Sequence, residues 1–230
     1  MAKFSVILVT AAPSGQAAEA GGAFVKIDGR EALLRSIELF LNRDEVKQIQ
    51  AVFIEEMADE AKRRHGAHLS FSGVKVVAGG VTRVKQIAAA VPTLADDITH
   101  VIVHDAARPI VPYTDLDALF AEAEKADAVT LATPAPAPLV QLDEHRRGVA
   151  VFAADQFMQL LTPQAFSRKS IEQIAATGQE LPIDQITLLK GSPLNIRVAG
   201  PGDAKLAQAM LSMLPMPKKG ALGAFEEAQW

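Results

Sequence analysis

The stretch Val101-Ile102-Val103-His104-Asp105-Ala106-Ala107-Arg108-Pro109 decides how this chain is read. Three β-branched apolar residues predict a short buried strand. It runs without a spacer into an acid, two small residues and an Arg-Pro pair. In an open parallel sheet, ligands sit beyond the carboxyl ends of the strands. Asp105 there offers hard oxygen to a divalent metal, and Arg108 offers a planar fork to phosphate. His104 reads as structural, tying the loop by hydrogen bonds. The plainer alternative is an Asp–Arg pair that only locks the turn.

Working outward, strand patterns recur at Phe4–Val9, 48–54, 74–78 and 128–132. Helical spacing lies between them at 31–41, 57–65, 82–91 and 114–125, the last with Thr114 expected as its N-cap. Strands and helices alternating at short intervals predict a three-layer α/β/α fold with a mostly parallel sheet covered on both faces. Nothing resembles a linker, so residues 1–214 read as one domain. Two segments break the rhythm. Residues 139–152 read as two extended runs around Asp143-Glu144-His145-Arg146-Arg147-Gly148, a hairpin arm. Residues 215–230, with two prolines, two lysines and two glycines, read as a mobile tail.

Two further loops fall at strand ends. Thr10-Ala11-Ala12-Pro13-Ser14-Gly15 has the small side chains that let backbone amides approach a phosphate. It is neither a Walker loop nor a G-x-G-x-x-G, and a tight strand-to-helix turn explains it equally well. Ala78-Gly79-Gly80-Val81-Thr82-Arg83 could cradle a base or phosphate with Arg83 adding charge, or could simply be a helix entry with an exposed arginine.

Composition limits the chemistry. The chain has 230 residues and no cysteine, which excludes disulfides, thiolate metal sites and a cysteine nucleophile. A formal net charge of −4 implies no broad basic surface, and aromatic residues are only 5%. Nucleic acid is therefore not expected as a partner. The longest apolar stretch, 128–140, is interrupted by Pro134, Pro136 and Pro138, so no membrane span is expected. The apolar run at 4–9 is too short for a signal-peptide core, and a cytoplasmic location is expected.

The motif Val103-His104-Asp105-Ala106-Ala107-Arg108-Pro109 resembles that of the 2-C-methyl-D-erythritol 4-phosphate cytidylyltransferases and the similar ribitol 5-phosphate cytidylyltransferases. The likeness spans about 4–214. It includes Ala11-Ala12, the Ile27-Asp28-Gly29 turn, Gly79-Gly80 with Arg83, Leu161 to Phe166, Asn195-Ile196-Arg197-Val198, and Pro201-Gly202-Asp203 opening the last helix. The resemblance implies a Rossmann-like nucleotidyltransferase fold whose β-arm makes a homodimer. It implies transfer of CMP from CTP to a sugar-alcohol phosphate, with Mg2+ and release of pyrophosphate, in isoprenoid biosynthesis. Carried over, it places Ala11, Ala12, Gly15, Gly79, Gly80 and Arg83 at the nucleotide, Asp105, Arg108 and Arg197 at the reaction, and Asp105 at the metal.

The sequence also departs from that pattern. Pro13 replaces a glycine, and proline has no N–H to offer a phosphate. The family's Arg falls near Ala17 or Ala18, and its Pro-Lys-Gln at Gly21-Gly22-Ala23. Gln86 stands for a serine, Ala137-Pro138 for Asp-Thr, Val151 to Ala154 for a Thr-x-x-Arg on the arm, and Arg197 for a lysine. A short segment is missing between Asp184 and Asn195. Lys26 and Arg30 are the nearest replacement cations, and neither is in register. The residues leave two readings: a divergent enzyme in which Lys26, Arg30 or Arg83 serves the α-phosphate, or an impaired homologue that binds nucleotide or a partner protein.

Overall fold

In the computed structural model, residues 2–11 and 20–214 are described. Ala12, Gly15 and the 215–230 tail, for which the sequence sets expectations, lie outside the described residues.

The elements run in order: β1 Phe4–Val9, the small ribbon β2 Lys26–Ile27 and β3 Arg30–Glu31, α1 Ala32–Leu41, β4 Val46–Ile54, α2 Glu55–Phe71, β5 Val74–Gly79, α3 Arg83–Ala90, β6 His100–Asp105, α4 Tyr113–Ala123 and β7 Ala128–Pro134. Then come β8 Leu139–Leu142, β9 Gly148–Phe152, β10 Met158–Ser167, α5 Arg168–Thr177, β11 Thr187–Lys190 and α6 Pro201–Leu211. The central sheet has seven strands in the order β11-β7-β10-β6-β1-β4-β5. Only β10 runs against its neighbours, antiparallel to both β6 and β7. The α/β/α expectation is met.

Strand period two divides the core. Val6, Leu8 and Ile102 face a layer with Leu33, Ile37 and Phe40 of α1 and Leu116 and Leu119 of α4. Ile7, Val9, Val101 and Val103 face the opposite layer, with Ile87 of α3 and Ile171 and Ile174 of α5. Near-continuous apolar strands are what burial on both faces requires. The chain winds outward from β1 through α1, β4, α2 and β5, then α3 crosses back to lay β6 on the other side of β1. That reversal makes the carboxyl ends of β1 and β6 the switch point, where such sheets leave a crevice.

Some local expectations change. Thr114 is not the N-cap of α4; Pro112 holds that position and no side chain caps the helix. The fixed proline φ already sets the entry, and the carbonyl of Pro112 accepts from Asp115 N and Leu116 N. Helix α2 runs to Phe71 because Ala58, Ala61 and Leu69 keep one face buried past the charged middle. The sequence pattern assigns no element between 153 and 200, yet β10, α5 and β11 lie there. The hairpin falls where expected, with β8 and β9 paired antiparallel as a separate two-stranded sheet. Among the described residues no helix is long and apolar enough to cross a membrane.

Candidate active site

Asp105 ends β6 directly beside Val9, the last residue of β1. Ala106 N donates to Val9 O at 2.8 Å, so the loop is welded to the switch point. Asp105 is buried, and its carboxylate organises the loop around it. Oδ1 accepts Ala107 N at 2.9 Å, which turns the chain sharply after the strand. Oδ2 accepts Arg197 Nε at 2.9 Å and lies 3.8 Å from Arg108 Nε. One carboxylate thus gathers two guanidinium groups from segments far apart in sequence.

A polar chain beneath holds this trio. Asp105 N donates to Thr162 Oγ1 at 3.0 Å, and that hydroxyl contacts His104 Nδ1 at 3.1 Å. His104 Nε2 meets Arg108 O at 3.0 Å. A carbonyl only accepts, so Nε2 carries the proton and Nδ1 receives the Thr162 hydroxyl. Burial is the main reason the His104 ring is pushed down to about 3, and it stays neutral. The structural role read for His104 is what this geometry displays. Arg108 Nη1 donates to Asn195 O at 2.7 Å, and Asn195 Nδ2 to Thr162 O at 2.7 Å. Burial, with Arg197 adding to it, lowers the Arg108 pKa, while Asp105 works in the opposite sense. Arg108 Nε, Arg197 Nη2 and Asn195 Oδ1 are buried without a hydrogen-bond partner. Orphaned polar atoms of this kind are costly unless a ligand or water completes them. The residues that carry them line a cavity of about 360 Å³ together with Thr133 and Gln159. Thr162 and Asn195 are visible in the sequence only as parts of motif segments; nothing in their own spacing marks them as the frame of the site.

The other candidates are placed differently. Arg83, at the start of α3, pairs with Glu180 and Gln164. It joins Arg108 and Thr162 around a second, more apolar cavity of about 400 Å³ with Leu181, Ile183 and Ile186. Arg30 is ion-paired with Glu38. Lys26 borders a shallow cavity with Lys205 and Gln208 of α6. At Gly79 a Cβ would come within 2.7 Å of Val52 Cγ1 and 3.2 Å of Gln86 Cα; at Gly80 it would lie 2.6 Å from Lys85 Cβ. Both glycines are required by the close seating of α3. Ala11 is fully buried, and its N–H is taken by Gln86, as is that of Thr10. A further cavity of about 480 Å³, around Glu38, Arg43, Tyr113 and Asp117, shares no residue with the Asp105 centre.

A doubly wound sheet with a charged centre at its switch point and a hairpin arm defines an α/β protein of the Rossmann-like class. The sequence matches the family described as 2-C-methyl-D-erythritol 4-phosphate cytidylyltransferase over residues 5–213. The chain belongs to that family. A relative so named from Rhodopirellula baltica is 28% identical, covering 90% of this chain and 94% of its own length. One from Halalkalibacterium halodurans is 26% identical over 90% of this chain and 96% of its own length. The fold matches the 4-diphosphocytidyl-2C-methyl-D-erythritol synthase of Anaerococcus prevotii with a TM-score of 0.72 at 19% identity, covering 92% of this chain and 99% of that one. It also matches the Thermus thermophilus cytidylyltransferase, TM-score 0.69 at 21% identity, over 90% and 98%.

Proposed function

We propose that this protein transfers CMP from CTP to a sugar-alcohol phosphate, with 2-C-methyl-D-erythritol 4-phosphate as the acceptor its family favours. The observation that carries the reading is the Asp105–Arg108–Arg197 centre at the switch point, with guanidinium donors left unpaired among the described residues and both arginines lining an adjoining cavity. An acceptor phosphate oxygen attacks the α-phosphorus of CTP; a new P–O bond forms, the bond to the β-phosphate breaks, and pyrophosphate leaves. Arg108 and Arg197 donate to phosphate oxygens, and Asp105 holds both guanidinium groups in register. Such fixed cations are a main source of rate in phosphoryl-type transfers.

Among the described residues no cluster of three or more His, Asp or Glu side chains could hold a metal alone. A magnesium ion in nucleotide sites needs only one or two carboxylates, with substrate phosphates completing its shell. Asp105 suits that part: each of its oxygens has one close partner and a lone pair to spare. Bound there, the ion would neutralise phosphate charge. The protein is further proposed to work as a homodimer joined through its arm.

A second reading is favoured by one observation. Residues 4–25 contain no lysine or arginine, and Arg30 and Arg83 are engaged elsewhere. A homologue with these cations absent would bind nucleotide with little turnover. Pyrophosphate release with CTP, magnesium and the methylerythritol or ribitol phosphate separates the two. For the enzyme, Arg108→Ala should cut the rate by about a hundredfold or more, and Asp105→Ala should abolish it. A folded parent that releases no pyrophosphate from either acceptor leaves the second reading standing.

A further inference from the structure

We infer that Gln86 limits how tightly a nucleotide is held at the end of β1, because its carboxamide already occupies the backbone donors of Thr10 and Ala11. The inference rests on the reading that CTP binds at the end of β1. Gln86 lies in the second turn of α3 and is fully buried. Its Oε1 accepts from Thr10 N at 2.9 Å and from Ala11 N at 3.1 Å. Its Nε2 donates to Thr10 Oγ1 at 3.3 Å, and that hydroxyl donates in turn to Val52 O at 3.0 Å. The orientation of the carboxamide is therefore fixed. Both neighbours of Oε1 are N–H groups, and the hydroxyl facing Nε2 has its own proton committed.

The glycine at β5 makes this contact possible. With no Cβ at Gly79, α3 settles until Gln86 Cα would stand only 3.2 Å from that missing atom. From there the side chain reaches beneath the helix to the end of β1, two strands away in the sheet. The amides after a first strand are the donors such sheets offer to a ligand. Here they are satisfied internally, so Gln86 withholds both from an incoming acceptor atom. Displacement exchanges bonds without gaining any, and it leaves a buried carboxamide unpaired.

Shortening the side chain should release both donors. Calorimetry with CTP on folded Gln86→Ser should show binding about tenfold tighter than the parent, the scale of one neutral hydrogen bond regained. Gln86→Met, which removes the acceptor but keeps side-chain bulk over the two amides and so still bars a ligand from them, should show no such gain. Equal or weaker CTP binding by folded Gln86→Ser overturns the inference. The parent supplies a test that needs no substitution: in backbone amide NMR, saturating CTP should leave the Thr10 and Ala11 resonances in place, and large shifts there overturn the inference. Its failure is distinguishable from that of the functional reading. If the parent releases pyrophosphate but Gln86→Ser binds CTP no better, only this inference falls. If Gln86→Ser gains affinity while neither protein turns over, only the enzymatic reading falls.

Discussion

His104 shows how much of the site depends on one neutral ring. It sits in the interior with Thr162 on one nitrogen and the Arg108 carbonyl on the other. Its pKa falls from 6.5 to about 3 on folding. The unfolded chain thus binds a proton that the folded one refuses. The stability from keeping the ring neutral is complete above pH 6.5 and is lost as pH falls toward 3. The loss approaches about 1.4 kcal/mol per pH unit for this single group within that window. Urea unfolding at pH 7 and at pH 5 should show the decline. His104→Asn, which cannot titrate, should start less stable and decline less steeply. An equal slope in both proteins would assign the acid sensitivity to other groups, such as His100, whose pKa burial also lowers.

Among the elements, α3 is held under a close packing constraint. It covers the second core layer with Ile87 and Ala90 and sends Gln86 beneath itself. A methyl at Gly79 would strike Val52 Cγ1 at 2.7 Å and crowd Ala89 Cβ at 3.3 Å. Gly79→Ala should therefore destabilise the fold by about 1–3 kcal/mol, lowering the melting temperature by several degrees. An unchanged melting temperature would mean that α3 rides farther from β5 than this packing requires. Elements of this kind are legible in the sequence because their apolar period is clean: Val84, Ile87 and Ala88 on α3, and β-branched runs in β1, β5 and β6. Strand β10 is not legible as a strand. Its Leu160-Leu161-Thr162-Pro163 run has neither alternation nor a continuous apolar face, and it is fixed by antiparallel pairing with β6 and β7. The charged centre is half legible for a related reason. Asp105 and Arg108 stand three residues apart at a strand end, whereas Arg197 and Asn195 reach them only through the tertiary fold. Arg83 reads as a loop cation because a sequence cannot show that Glu180 waits just beyond the neighbouring helix α5.

At the scale of the whole molecule, the arm has a surface that the other described residues do not cover. Val140 stands opposite Val151 in the hairpin, so the two share a face. Val140, Leu142, Val149 and Val151 are all at least half exposed, Val151 at 72%. The opposite face is better served, since Phe152 packs edge-on against Phe157 at 5.6 Å. The turn is stiffened by its own polar groups: Asp143 accepts His145 N and Arg147 N and pairs with Arg147 Nε at 2.9 Å. An isolated two-stranded ribbon is marginal in water, and a bare apolar stripe on a stiff ribbon favours a second surface. The proposed occupant is another copy of this chain. Light scattering at micromolar concentration should then report twice the 24.5 kDa chain mass. Val140→Asp with Val151→Asp should shift it to the monomer, because two facing carboxylates would have to be buried in the contact. The substitutions are exposed in the single chain, so its own fold should survive them, as circular dichroism would show. A parent that is monomeric with its arm intact would remove the dimer. A dimer that persists in the double variant would place the contact elsewhere on the molecule.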